Sequence, residues 1–178
     1  MATCNASQPS VFAPSKPFSS HKSSLRIVPP DIPDLKFVMW APRARRCVFN
    51  SWTIPEYIEL WANTADCTDI KATARLCTGE PFSITAWSRG KEQYRVAGRY
   101  IIIEEPAHIL CTWDTRSSGR QWYSTLRVNF EEFEEGTLLR IVQSGIELSA
   151  HRECQRQWWH ERLEHLRALL RLTPTITS

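Results

Sequence analysis

Apolar positions recur along the chain in two rhythms. The heptapeptide LKFVMWA, Leu35 to Ala41, reads as an opening strand, which Ala41-Pro42 stops. The next stretch puts Val48, Phe49 and Trp52 on a helical spacing. It breaks at Pro55, whose ring removes an amide donor, and resumes as a short helix ending in Trp61. From Asp66 to Gly145 the pattern becomes one of short strands separated by turn signals: Thr78-Gly79-Glu80-Pro81, Arg89-Gly90-Lys91, Glu104-Glu105-Pro106, Ser117-Ser118-Gly119 and Glu134-Glu135-Gly136. Connections this short join antiparallel neighbours. Leu126, Val128 and Phe130 alternate with Thr125, Arg127 and Asn129, and Leu139 and Ile141 alternate with Leu138, Arg140 and Val142, so one face is apolar and the other mixed.

The last apolar pattern is helical again. Trp159, Leu163, Leu166 and Leu170 fall on one stripe of a long amphipathic helix beginning near Ser149, an expected N-cap, with Glu153, Arg156, Glu161, Arg162, Glu164 and Arg167 on its other faces. Such a stripe must be buried, and the apolar face of the strands is the only partner large enough. The predicted fold is α+β: a curved antiparallel sheet of six to seven strands around one long C-terminal helix, with two short helices after the first strand.

Composition divides the chain. Residues 1–32 are rich in Ser and Pro, and the first thirty lack Asp and Glu, which marks a tail without a core, or alternatively an organelle transit peptide. The expected domain spans 33–172, followed by a short tail, 173–178. Lys16, Lys22 and Arg26 account for the whole formal net charge of +3, so the domain is neutral and no basic face for nucleic acid is expected. Arg43, Arg45 and Arg46 read as a solvated helix face. Six cysteines without a C-x-x-C pair imply a reduced compartment, and no apolar run approaches the ~20 residues of a membrane helix. A soluble cytoplasmic protein is expected, with organelle targeting through residues 1–30 as the alternative.

Four segments, in order, resemble a known family: AP…VFNSWTIPEYIELW, GRYIIIEEPAHILCTW, GTLLRIVQSG, and the closing Trp159, Leu163, Leu166, Leu170 series. Together they are similar, over residues 35 to 171, to the activator-of-heat-shock-protein-ATPase homologue-like (AHSA-type) domains. Those belong to the SRPBCC, or START/Bet-v-type, helix-grip superfamily. The resemblance implies a deep apolar cavity between sheet and last helix, and no single activity. Three departures stand out. CTGEPF keeps only Gly79 where relatives carry paired glycines. Gln143-Ser144-Gly145 replaces a histidine by a neutral amide. Trp158-Trp159 stands where relatives have Gly-Trp.

Period-two alternation places Ile109, Cys111 and Trp113 on one side of their strand and Leu139, Ile141 and Gln143 on one side of theirs. The family pattern makes these the inner sides. The helix stripe adds Trp159 and Leu163 and, extended backward, Gln155 and Arg152. With Trp61 these eleven residues are the candidate ligand-binding set: an apolar wall with two amides and one guanidinium to orient an amphipathic molecule. The competing reading is a dry core. Eight tryptophans make stacking on a flat ligand a natural use, with Trp61, Trp113 and Trp159 favoured as lining.

Support for catalysis is thinner. His160 and His165 lie about 140° apart on the helix, no catalytic or phosphate-loop motif is present, and no metal or cofactor is expected. Cys111 on an apolar strand is a structural thiol, and Glu104-Glu105 is a turn rather than a carboxylate pair. Three functions follow. The first is non-enzymatic binding of a hydrophobic or amphipathic small molecule. The second is a cofactor-free cyclase or hydrolase using Gln143, Arg152 and a water. The third is a chaperone co-regulator or other protein-interaction module, which would need a patch on the outer face near Arg95, Arg99, Arg127 and Arg140. A homodimer or a chaperone is the protein partner left open.

Overall fold

The computed structural model describes residues 32–63 and 67–172, so the expectations for the two tails lie outside the described residues. The elements run β1 (Leu35–Ala41), α1 (Arg45–Thr53), α2 (Pro55–Ala62), β2 (Asp69–Ala74), β3 (Pro81–Ser88), β4 (Lys91–Glu104), β5 (His108–Thr112), β6 (Asp114–Ser117), β7 (Arg120–Trp122), β8 (Thr125–Phe133), β9 (Gly136–Ser144) and α3 (Ser149–Leu172). Seven strands form an antiparallel path in the order β1-β9-β8-β5-β4-β3-β2, and β6 with β7 branches from β4.

The long strand β4 makes the sheet curl. Its first half pairs with β3 on one side and with β6 on the other, from Tyr94↔Ser117 to Ala97↔Asp114. Its second half leaves β6 for β5, from Tyr100↔Cys111 onward, with a register irregularity between Tyr100 and Ile102. Trp113 sits at the joint between β5 and β6, its amide bonded to Ser124 O at 2.8 Å. A bulge and a strand that changes partners both add local twist, bending the sheet towards its apolar face.

That concave face receives α3, which buries Gln155, Trp159, Arg162, Leu163, Leu166 and Leu170. Leu148 O takes the first helical bond, from Arg152 N at 3.0 Å, so Ser149 is the first helical residue rather than the cap. Helices α1 and α2 close one end of the grip. Pro55 opens α2, where no amide donor is needed, and Ile54 serves both helices as the break. Arg45 and Arg46 tie α1 to the sheet rim through Glu132 at 3.2 Å and Glu105 at 2.6 Å, exposed pairs that contribute little energy each. Two sequence expectations meet these contacts: Arg45 and Arg46 lie on a paired helix face while Arg43 precedes the helix and donates to Pro42 O and Arg171 O, and Glu104-Glu105 lies at the β4–β5 turn.

One expectation is overturned. Arg162, expected on a solvated face, is only 4% exposed. Its guanidinium lies 5.2 Å from the Tyr94 ring and 5.0 Å from the Trp158 ring, and Nη1 reaches Glu161 at 2.6 Å. At 100° per residue Arg162 sits about 60° around from Trp159, at the margin of the buried stripe. Two aromatic faces there take the cation that the residue type alone would assign to water.

Candidate functional site

Four indoles bridge the interior in a row. Trp61 of α2 stacks on Trp52 of α1 at 5.2 Å between centroids, and Trp52 stacks on Trp159 of α3 at 5.7 Å with planes 10° apart. Trp159 meets Trp113 at 5.4 Å and 32°. Trp158 closes edge-on against both Trp113 and Trp159. No space for a ligand lies between Trp113 and Trp159: the rings fill it.

The void that remains lies beside this row, away from α3. It is walled by Trp52, Ile58 and Trp61 from the two short helices, by Phe82 and Ile84 from β3, by Tyr100 from β4, and by Ile109, Cys111 and Trp113 along β5 and its end. Its volume is about 20 Å3, room for roughly one water molecule, whereas pockets for small organic ligands measure about 300–1,000 Å3. The site is therefore closed in this conformation.

Among the eleven sequence-derived candidates, Trp61, Ile109, Cys111 and Trp113 line the void. Leu139, Ile141 and Leu163 are buried without lining it, and Trp159 seals it through the indole row. Trp52, Ile58, Phe82, Ile84 and Tyr100 line it without having been singled out. The alternation of Phe82 with Ile84 and the helical spacing of Trp52 with Val48 and Phe49 carried that signal.

Two of the three polar candidates, Gln143 and Gln155, hold indoles. Gln143 Oε1 accepts from Trp159 Nε1 at 2.7 Å, and its amide donates to Ser124 Oγ at 2.8 Å, which donates to Trp113 O at 2.6 Å. This buried strut links α3, β9 and the ends of β5 and β7. Gln143→Leu is expected to cost about 1–3 kcal/mol, because it leaves the Trp159 N–H and the Ser124 hydroxyl short of a partner; urea denaturation measures it. Gln155 Oε1 accepts from Trp122 Nε1 at 3.2 Å and Thr115 Oγ1 at 3.3 Å. Arg152 donates from Nη1 to Ile146 O and Glu147 O, at 3.0 and 2.9 Å. Gln143 and Arg152 thus serve separate sets of partners, and the polar cluster that a water-activating pair would require is not formed by them.

Burial pushes the Cys111 thiol up to about 12 from its ordinary 9.0, so at neutral pH it is protonated and a poor nucleophile. Iodoacetamide should modify exposed Cys47, Cys77 and Cys154 in the native protein and reach Cys111 only after unfolding, which peptide mapping reads out. The linkage has a definite sign. The folded chain holds this proton more tightly, so its contribution is intact below pH 9.0 and is lost as pH rises towards about 12. His151 stacks on Trp122, His160 meets Phe37 edge-on, and His165 Nδ1 lies 2.6 Å from Asn63 O. No group of three metal-ligating side chains forms among the described residues.

The family model described as "Activator of Hsp90 ATPase homolog 1-like protein" matches residues 42–171, most of the chain. The chain belongs to this family. Solved structures agree on the fold of the AHSA1-like domain. A protein of Chromobacterium violaceum superposes with TM-score 0.68 at 18% identity, over 79% of this chain and 98% of that one. One of Mesorhizobium loti gives 0.66 at 19% identity, over 79% and 98%. CalU16 of Micromonospora echinospora gives 0.58 at 18%, over 77% and 75%. At such identities the likeness is one of fold alone. No curated protein matches the sequence. The AHSA1-like fold is that of the SRPBCC superfamily, an architecture typical of proteins that enclose hydrophobic ligands. No helix among the described residues is long and apolar enough to cross a membrane.

Proposed function

We propose that this AHSA1-like domain is a non-enzymatic binder of a hydrophobic or amphipathic small molecule, taken up in the void between α1, α2 and the β3–β5 corner of the sheet. The observation that carries this reading is the asymmetry of the walls. Trp61 is pinned by its N–H to Ser51 O at 2.8 Å and Trp159 by Gln143, whereas the Trp113 N–H has no partner. Of these three indoles, Trp113 can move without breaking a hydrogen bond of its ring N–H, and moving it joins the void to the space it occupies. Opening costs packing contacts, so affinity is the ligand's burial energy less that cost.

The test is intrinsic fluorescence and thermal shift with a panel of lipids, flavonoids and aromatic polyketides. Binders should change the indole emission and raise the melting temperature. Trp113→Ala removes the moving wall and is expected to tighten binding of planar apolar probes about tenfold or more. Silence from both proteins across the panel would remove the proposal.

A second reading rests on a different surface. Val38 is 56% exposed and Trp40 41%, two residues apart on the outward face of β1, which among the described residues pairs on one side only, with β9. This apolar pair, with the chaperone named in the family description, supports protein contact there. Stimulation of an Hsp90-type ATPase that Trp40→Ser abolishes would favour it.

A further inference from the structure

The polar atoms around the indole row are unbalanced in one direction. Four fully buried N–H groups have no acceptor: Trp113 Nε1, Gln155 Nε2, Trp158 Nε1 and Arg162 Nε. Their residues form one neighbourhood. The Trp113 and Trp158 rings lie 6.1 Å apart, the Arg162 guanidinium lies 5.0 Å from the Trp158 ring, and Gln155 precedes Trp158 by three positions on α3. Reorienting the Gln155 amide does not help. Trp122 Nε1 can only donate, so the amide oxygen must face it, and the amide nitrogen stays free. Thr115, also on Gln155 Oε1, adds no acceptor pointing the other way. Among the described residues, Glu161 is the carboxylate paired with this group: it takes Arg162 Nη1 and is itself 49% exposed.

Native interiors seldom leave one such donor unmet, and four on neighbouring residues, one of them a cation, call for an acceptor they can share. Trp113 belongs to both places: its ring lines the apolar void and its N–H belongs to the donor group. We infer that the ligand is an apolar molecule ending in a carboxylate, with its body in the void opened by Trp113 and its oxygens on the N–H groups of Trp113, Trp158, Gln155 and Arg162. A carboxylate offers about four acceptor positions and no donor, and its charge complements the guanidinium. An amine would add donors where donors are already in excess, and a hydrocarbon would leave all four unmet. The inference rests on the proposed binding function and specifies its ligand class.

The experiment compares three probes of nearly equal shape at neutral pH: 2-naphthoate, 2-methylnaphthalene and 2-naphthylmethylamine. Affinity for the carboxylate is expected to exceed that for the hydrocarbon by about tenfold or more, with the amine weakest. Gln155→Leu and Arg162→Met should each erode that preference, read as the ratio of carboxylate to hydrocarbon affinity within each variant. Because either variant can fail to fold, the wild-type protein provides a second readout. The indole nitrogen–proton resonances of Trp113 and Trp158 should shift downfield with naphthoate and not with methylnaphthalene. Equal binding of all three probes, or a carboxylate that leaves those resonances in place, overturns the inference and leaves the cavity reading standing. No binding of any probe, to wild type or to Trp113→Ala, overturns both.

Discussion

Trp159→Ala is expected to destabilise the domain by about 3–5 kcal/mol, the range for deleting a large buried aromatic ring. Trp159 is fully buried and touches four other aromatic rings: Trp52, Trp113, Trp158 and Phe37. The truncation breaks the indole row at its centre and strands the Gln143 amide oxygen that its N–H satisfies. Its neighbours are held from α1, β1, the β5–β6 joint and α3, so they cannot all collapse into the hole. Against a total stability of about 5–15 kcal/mol for a domain of this kind, the loss is large. The urea midpoint should fall steeply with little change in the slope of the transition. Trp159→Phe, which keeps most of the area and loses the hydrogen bond, should lie between. An Ala variant with a wild-type midpoint would mean that the row is not packed as described.

The second large effect belongs to Gly98, at the point where β4 leaves β6 for β5. A methyl group there would run into the carbonyl oxygen of Thr112 and lie 2.6 Å from Phe82 Cζ. The ring could turn, but the carbonyl belongs to the β5 backbone, and Thr112 Oγ1 also accepts from Arg99 N at 2.9 Å. Gly98→Ala therefore forces apart the two strands at the bend, and a loss of about 3 kcal/mol, the upper end for overpacking, is expected in the same denaturation assay. Phe82→Ala in the Gly98→Ala background relieves only the ring contact. A double variant restored to the stability of Phe82→Ala alone would show that the carbonyl is not the obstacle.

The sequence made the fold legible because its signals are local and repeated. Two short helices around Pro55, strand turns at Gly90, Pro106, Gly119 and Glu135, and a last helix phased on Trp159 and Leu166 all emerge where spacing places them. The cavity was legible in part. Period-two alternation brought Ile109, Cys111 and Trp113 to the inner face, yet the void lies towards α1, α2 and β3 rather than under α3. The displacement comes from the size of four indoles supplied by α1, α2, the β5–β6 joint and α3, and no single-segment pattern reports how rings from four segments share one volume. Arg162 was obscured for a related reason. Its burial depends on Tyr94, far away in sequence, presenting a ring face. Gln143 and Gln155 were placed on inner faces and both lie buried, but no spacing reports that the oxygen of each accepts from an indole N–H.

The indole row also has an optical consequence. Successive rings are 5.2, 5.7 and 5.4 Å apart, with interplanar angles of 23°, 10° and 32°. At such separations the strong far-ultraviolet transition dipoles of the indoles couple, and circular dichroism in that region is expected to show a couplet whose sign and amplitude follow the relative orientation of the rings. Parting Trp113 from Trp159 would alter that couplet directly. The domain carries an unlabelled gauge of whether its interior is open or shut.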